Sequence, residues 1–555
     1  MPAPDYSYIW GNSGQCEMTT AEITAEVFKR EGVRHVFGIP GGPSIPYIEA
    51  WRGAGVDFVL TSHEAAAAIM ADVTARITGK PGVCHATFGP GAVNLASGVG
   101  GALLDRSPLI ALTTEVPQKM RGRTTQMGID HQQLYRPLTK DTVSLGPARA
   151  AGVLTSAFRT AAAEVPGPVH IGLPSDIAGI SAGRDEIASI AGNLNQRPGR
   201  GSRAAAGDIA GALRLLKRAR RPVVAAGLTA VRCGASELLK EFLSETPVPV
   251  VLTPMARGLI ENEHPCYSGV LFHALSDRIR PVTDSADLII GIGYDPVEYN
   301  YESWIPGVPV VHFSTVETDM PQGLEAVQVT GDAGSWFGLL MEAGMSGDFL
   351  TGRGVQKAVG EMADTFNELG MKWGPVCVLK TLRRGLSPQA VLTLDVGSHL
   401  HLAGQYWPAT APGKVIMTNG WSTMGFGIPS AIAAKLVMPV TDVVAVTGDG
   451  GFLMTAGEMM TARRYNIGIK VVVIADRELN LITVKKSWRH LDAYGTQLIE
   501  GDLFGSDSFL GVPVFSADSE ASMQNAIKSA MNISGPAIIC ASVTGDDYRK
   551  LIVRQ

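Results

Sequence analysis

Two aspartates invite a chemical reading first. Asp449 stands in "TGDGGF" (Thr447–Phe452), wedged among glycines where the apolar run "VVAVT" gives way to a helix-like pattern. Asp476 opens "DRELN" after the run "IKVVVIA" (Ile469–Ala475), 27 residues further on. Each follows an expected parallel strand, at the end where open α/β sheets place ligands. The glycines let backbone N–H groups approach closely, and a helix expected to start near Met454 directs its positive end at the same spot. That arrangement suits a phosphate. An aspartate beside a phosphate repels it unless a divalent cation lies between them, and a hard cation such as Mg²⁺ prefers oxygen ligands. Two adjacent strand ends carrying Asp449 and Asp476 can therefore hold one metal against a diphosphate. The alternative is local: Asp449 caps the helix and Asp476 opens a turn. Spacing alone leaves the two readings level.

The elements that must position these residues are repeated βαβ units. Short Val/Ile-rich runs alternate with Ala-rich helical stretches almost throughout, which predicts parallel sheets flanked by helices. In the first block, "HVFGIPG", "DFVLTS", "VCHATFGPG", "LIALTT" and "PVHIGLP" read as strands entering turns. A Gly/Arg/Asn-rich stretch, Ala191–Gly207, reads as a linker. The second block repeats the alternation with "PVVAAG", "VPVVLT", "ADLIIGIG" and "VPVVHFS". A charged helical segment near Gly354–Gly370 then leads into the third. The expected fold class is α/β, with three consecutive doubly wound parallel-sheet domains over residues 18–185, 205–345 and 370–550. "GIGYDPVEYN" (Gly291–Asn300) begins like a dinucleotide-binding turn, but it lacks the third glycine and the following helix, so it reads as an ordinary strand end.

Composition excludes several classes. The 555 residues are 45% hydrophobic and 18% charged, as in a well-packed enzyme. The net charge of −5 is dispersed and no long basic run exists, so nucleic acid is not an expected partner. Six cysteines (Cys16, Cys84, Cys233, Cys266, Cys377, Cys540) lie far apart, which suits reduced thiols in a cytosolic protein. No apolar run reaches the roughly 18 residues needed to span a bilayer, and the first residues lack a signal pattern. The expected setting is cytoplasmic, with no membrane partner.

With those features in view, the chain resembles the thiamine-diphosphate enzymes of the acetolactate synthase/pyruvate decarboxylase superfamily. The resemblance rests on Gly448-Asp449-Gly450 with its later polar ligand, on Ser62–Pro117, on "GPVHIGLPSDI" (Gly167–Ile177) and on "TNGWSTMGFGIPSAIAAK" (Thr418–Lys435). It implies a pyrimidine-binding, a central and a diphosphate-binding domain. It implies a metal held by the Asp449 and Asp476 carboxylates and the backbone carbonyl of Glu478, where most relatives carry glycine. The turn at Glu478 must then avoid a positive φ. Glu64, in "TSHEAAAA", is read locally as a first-turn glutamate favoured by the helix dipole. The resemblance instead makes it the partner of the cofactor's pyrimidine N1′, and so the residue behind deprotonation of thiazolium C2. Met424 matches the apolar wedge that bends the cofactor, and the Ser422 carbonyl the acceptor of the 4′-amino group. Pro40, Gly41, Thr87 and Asn94 match positions around the pyrimidine. Ser398, His399, Gly448, Gly450, Gly451, Asn480 and Ile482 match the diphosphate end. Glu64 and Asp449 belong to different domains, so family architecture implies sites shared between two chains, in a homodimer or homotetramer.

The reaction implied is thiamine-diphosphate- and Mg²⁺-dependent decarboxylation of a 2-oxo acid, pyruvate first, with carboligation to a second carbonyl. "SADLIIGIGYDPVEYNYESW" (Ser285–Trp304) resembles flavin-independent acetolactate synthases and lacks an R-F-D-D-R pattern, so FAD is not expected. Gln126 and Met127 stand where synthases usually place Phe-Gln or His-Gln. Lys485 stands where biosynthetic synthases have a pocket-shaping tryptophan. A cation there suits an anionic substrate, although basic residues at this spacing also make a solvated helix face. A non-ligating decarboxylase, a carboxyethylarginine synthase-like transferase and a non-catalytic cofactor-binding paralogue stand as alternatives.

Overall fold

The computed structural model describes residues 18–181 and 205–552; Cys16 and all but the last three residues of the expected linker lie outside them. Val/Ile/Leu runs that are buried on both faces become parallel strands, because only helices on either side of a sheet can cover them. Strands β1 (His35–Ile39), β2 (Asp57–Leu60), β3 (Gly82–Ala86), β4 (Leu109–Glu115), β5 (Asp141–Ser144) and β6 (Pro168–Pro174) form one all-parallel sheet, in the order β2-β1-β3-β4-β6-β5.

The second sheet holds β7 (Ala206–Gly207), β8 (Pro222–Ala226), β9 (Val250–Leu252), β10 (Tyr267–Val270), β11 (Leu288–Ile292), β12 (Val310–Ser314) and β13 (Ala326–Thr330). Their order is β10-β9-β8-β11-β12-β13-β7, and only the short edge strand β7 runs antiparallel. The third sheet holds β14 (Val391–Leu394), β15 (Val415–Ile416), β16 (Val443–Gly448), β17 (Lys470–Ala475), β18 (Ser508–Phe509), β19 (Val512–Ala517) and β20 (Ala537–Ser542). Its order is β15-β14-β16-β17-β20-β19-β18, with β18 antiparallel. The expected α/β class with parallel-dominated sheets is borne out. After β11 the chain passes into a 3₁₀ turn at Tyr301–Ser303, so "GIGYDPVEYN" does end a strand in a plain turn.

Each sheet has a point where the chain reverses its direction of winding, and ligands bind at such points, beyond the carboxyl ends of the strands. In the first sheet it lies between β1 and β3, in the second between β8 and β11, and in the third between β14 and β16.

The first and third domains are bolted together. The Ala-rich helix Glu64–Thr78 packs on both the helix Pro90–Leu104 and, across the boundary, the helix Gly427–Val437. Arg76 forms ion pairs with Asp72 (2.6 Å) and Asp105 (2.8 Å) and donates to the carbonyl of Met417 (2.7 Å). Asp105 in turn accepts from the backbone of Asn419 and Gly420. Every oxygen in this buried cluster has a donor, which is the condition for buried charge to be tolerated. The central domain joins through Arg106, paired with Asp295 (2.9 Å), and through Asn419, which donates to the Glu298 carbonyl (3.1 Å). The loop carrying Ser422 and Met424 is therefore held from three sides. Edge strand β2 is capped rather than open: Leu60 N–H donates to the Tyr465 hydroxyl (2.8 Å), and Arg464 donates to the Leu60 carbonyl (2.8 Å).

Candidate active site

The third sheet's reversal point gathers the diphosphate-end residues. The helix there spans Asp449–Thr455 and so starts at Asp449, five residues earlier than the sequence pattern suggests. Gly448 is its N-cap residue, and Asp449 occupies the first helical position. The Asp449 carboxylate does not cap its own helix in the usual way. One oxygen accepts from Gly450 N–H (2.9 Å) and the other from Arg477 N–H (2.6 Å), which ties the ends of the paired strands β16 and β17 together. Asp476 follows β17 directly. Burial, reinforced by the charge of Asp449, pushes its carboxyl up to about 8. Burial also raises Asp449. Two carboxylates held together out of water repel each other, and a cation between them would relieve that repulsion.

The third expected ligand fits the same picture. Glu478's carboxylate accepts from Asn480 Nδ2 (3.2 Å) and Thr483 Oγ1 (2.8 Å), and its charge adds to the upward push on both aspartates. Its backbone carbonyl accepts no hydrogen bond among those of the described residues. The positive φ of the turn falls on Arg477 (70°), so Glu478 needs no glycine. Among the described residues no group of three or more His, Cys, Asp or Glu side chains is arranged as a metal cage. A two-carboxylate set completed by a carbonyl and by phosphate oxygens does not need one.

Around this centre, Ser398 donates to Asn480 (3.4 Å). His399 is buried beside Gly397 and Gly448, and its Nε2 has no partner among the described residues. Burial drives the His399 imidazole down to about 3, so the ring is neutral and can donate or accept at that nitrogen. Met424 lies against Gly450, and Ser422 adopts a left-handed φ of 53°. Ile482, on the helix Asn480–Ser487, is 44% exposed. These residues fit a metal–diphosphate group.

The first sheet's reversal point gathers the other half. Pro40 and Gly41 follow β1, and Thr87 follows β3, its side chain pressed against Gly41 so closely that a Cβ there would meet Thr87 Oγ1 at 2.2 Å. Glu64 begins the helix after β2, buried, with His63 as the N-cap. Asn94 Nδ2 donates to Glu64 Oε2 (3.0 Å), while Oε1 faces Gly91 and the neighbouring Thr87 methyl. Met127, with φ 57°, lies against Gly89 at the end of this cluster. Gln126 beside it is exposed. Lys485 lies in the other half. It is exposed, and its charge, second to burial, holds the buried His401 imidazole down near 4.

Within one chain, among the described residues, no hydrogen bond or ion pair links Glu64 or Asn94 to Asp449, Asp476 or Met424. Large apolar side chains stand exposed beside both: Ile45, Val93 and Met127 near the first, Trp421, Leu453 and Met454 near the second.

Sequence reasoning missed Asp395. This wholly buried carboxylate ends β14 and accepts from Val396 N–H, Gly425 N–H, Gly427 N–H and Thr447 Oγ1. It joins the Met424 loop to the strand that carries Asp449. The available signal was an acid directly after the strand "VLTL", the strand-end position that also drew attention to Asp449 and Asp476.

Comparison with known proteins follows this geometry. Three family models match in succession: the N-terminal TPP binding domain of thiamine pyrophosphate enzymes over residues 18–134, their central domain over 209–340 and their C-terminal TPP binding domain over 395–541. The chain is 30% identical over 513 residues to a probable acetolactate synthase large subunit of Methanocaldococcus jannaschii, covering 89% of this chain and 85% of that one. It is 28% identical to the acetolactate synthase of Bacillus subtilis, covering 95% and 93%. It is also 28% identical to a probable acetolactate synthase large subunit of Methanococcus aeolicus, covering 94% and 91%.

Proposed function

This chain belongs to the thiamine pyrophosphate enzymes, and from that premise we propose that it decarboxylates a 2-oxo acid, pyruvate first, and joins the remainder to a second carbonyl as an acetolactate synthase does. The observation that carries the reading is the pair Asp449 and Asp476 on adjoining strand ends, with Asp476's carboxyl raised by burial and by its neighbour. Thiamine diphosphate, when bound, supplies an acidic C2–H and an electron sink for the carbon that loses CO₂. The chain's own residues supply the rest. Asp449, Asp476 and the Glu478 carbonyl would hold Mg²⁺, and Ser398, His399, Gly448, Gly450, Gly451, Asn480 and Ile482 would serve the cofactor beside it. Glu64, steadied on one oxygen by Asn94, keeps the other for the proton at pyrimidine N1′. Pro40, Gly41 and Thr87 would flank the pyrimidine, Met424 would supply the apolar wedge against the cofactor, and the Ser422 carbonyl would accept a hydrogen bond from the 4′-amino group.

A second copy of the chain completes each site. The exposed apolar side chains beside both groups support a homodimer, or a homotetramer built from it. The domains are those of residues 18–185, 205–345 and 370–550. FAD is not part of the reading. At the central sheet's reversal point lies a cavity of about 390 Å³ lined by Asp295, Glu317 and Asp319, with Arg106 already paired to Asp295, an acidic setting that disfavours a dinucleotide's phosphates. No helix of the described residues is long and apolar enough to cross a membrane, in keeping with a cytoplasmic enzyme acting on a small molecule.

Lys485 favours a second reading, in which donor or acceptor carries an extra negative charge, with Gln126 and Met127 shaping the pocket from the partner's side. Titration with thiamine diphosphate and Mg²⁺, followed by circular dichroism, tests cofactor binding; saturable, Mg²⁺-dependent binding is expected. Turnover of pyruvate to CO₂ and acetolactate tests the reaction. Cofactor binding without turnover of pyruvate refutes the pyruvate assignment, and a panel of 2-oxo acids with products identified by mass spectrometry then identifies the donor.

A further inference from the structure

Glu458 is the first residue of the helix Glu458–Arg464 and is almost wholly buried at the boundary between the first and third domains. One carboxylate oxygen accepts from two consecutive backbone amides of the first domain, Ser62 N–H (2.9 Å) and His63 N–H (3.0 Å). The other accepts from Thr461 Oγ1 (2.7 Å). Ser62 Oγ adds a bond to the Gly457 carbonyl (2.7 Å). The next residue after this pinned pair is Glu64. A buried carboxylate costs stability through desolvation, and an aligned backbone pair is what offsets that cost. Burial pushes Glu458 up to about 7, against the hydrogen bonds from Thr461, Ser62 and His63 and the charge of Arg464.

We propose that Glu458 is a positioning residue for Glu64: its carboxylate pins the Ser62–His63 turn to the third domain and so fixes where the Glu64 carboxylate points. The inference rests on the reading of Glu64 as the pyrimidine partner. The anchor has a further property. Glu458 lies nine residues after Asp449, at the end of the segment that begins with the diphosphate turn. In a dimer whose halves are exchanged, this anchor would be a short link between one chain's metal–diphosphate end and its Glu64, which serves the other site.

The test compares Glu458→Ala, Glu458→Asp and Glu458→Gln with the parent protein by two readouts. The first is amide hydrogen exchange at Ser62 and His63 in the cofactor-free protein. The second is the rate of C2–H/D exchange in bound thiamine diphosphate, with cofactor affinity measured alongside. Gln keeps an acceptor oxygen for both amides and is expected to protect them and to preserve C2 exchange. Ala removes the acceptor, and Asp withdraws it by one methylene while keeping the charge. Both are expected to expose the two amides and to slow C2 exchange, by about 100-fold for Ala, the cost of a misplacement near 1 Å, with cofactor affinity changed less than threefold. The Asp variant carries the test if Ala does not fold. Unchanged amide protection in a folded Ala or Asp variant overturns the anchor. Exposed amides with parental C2 exchange reduce Glu458 to a packing element and overturn the proposal. A Glu64→Gln control separates the two ideas: if Gln at 64 leaves C2 exchange intact, the reading of Glu64 fails. If it abolishes exchange while the Glu458 variants do not, only the positioning role fails.

Discussion

Replacing Asp395 by asparagine isolates how the Met424 loop is held. Oδ1 accepts from Val396 N–H (2.6 Å) and Gly425 N–H (2.8 Å), and Oδ2 from Gly427 N–H (3.3 Å) and Thr447 Oγ1 (3.0 Å). An amide can serve only one of these pairs with its oxygen. The other pair then faces an N–H₂ group. Thr447 can adapt, because its hydroxyl hydrogen already lies within reach of the Gly448 carbonyl (3.0 Å). Gly427 N–H cannot. One buried amide left unpaired costs roughly 1–3 kcal/mol, and the remaining bonds lose their charge assistance. Burial raises the Asp395 carboxyl, so some desolvation cost is recovered when the charge is removed. The net expectation is about 2 kcal/mol of local stability, equivalent to about 30-fold faster amide exchange at Gly425 and Gly427. Hydrogen-exchange mass spectrometry on peptides spanning residues 420–430 reads this directly. Because Gly425 adjoins Met424, cofactor affinity should fall with it, by about tenfold if roughly 1.4 kcal/mol of the disturbance reaches the cofactor. Parental exchange and parental affinity together would show that Asp395 does not organise the loop.

Asp449→Asn should weaken Mg²⁺ and thiamine diphosphate binding together in calorimetric titrations; undiminished Mg²⁺-dependent binding rejects the ligand assignment. Gly41→Ala drives a Cβ into Thr87 Oγ1, so it should lower cofactor affinity about tenfold, and a double-mutant cycle with Thr87→Ala should recover more than about 1 kcal/mol of that loss. Glu298 is buried, and desolvation pushes its carboxyl up to about 7. The folded protein therefore holds this proton more tightly than the unfolded chain. The corresponding stability is fully present below about pH 4.5 and is lost as pH rises through about 7, up to roughly 3 kcal/mol from the size of the shift. Glu298→Gln should flatten the dependence of Tm on pH between 5 and 7.5, and an unaltered slope excludes Glu298 as a source of it.

The fold class and the cofactor family could be read from the chain because both depend on short-range patterns. Apolar runs such as "VVAVT" and "IKVVVIA" have one good use, a strand buried on both faces, and Gly-Asp-Gly-Gly marks the turn that follows. The helix starts at Asp449 rather than near Met454: "DGGFLMT" begins with poor helix formers, and the packing of that turn against β17 overrides their propensity. Asp395 and Glu458 escaped notice for a different reason. Gly425 lies 30 residues from Asp395 and Ser62 nearly 400 from Glu458, so no local spacing encodes these partners, and only the strand-end position of Asp395 was visible. The left-handed residue at Arg477, one position before the one under suspicion, is likewise set by Asp449 reaching across from the neighbouring strand. Gln126, Met127 and Lys485 have positions but no partners that define a substrate, since pocket shape arises between elements that the sequence does not align.

The capped edge of β2 bears on how the chain tolerates being divided. Leu60 offers its N–H and C=O to Tyr465 and Arg464, residues more than 400 positions later. Without the third domain those groups form an open rim on a twisted, largely apolar sheet, a ready template for another strand. A fragment ending at the interdomain linker would carry every residue of the pyrimidine half and still be prone to aggregate. During synthesis the first domain emerges long before its cover does, so the nascent protein passes through an interval in which that rim needs shielding by other means.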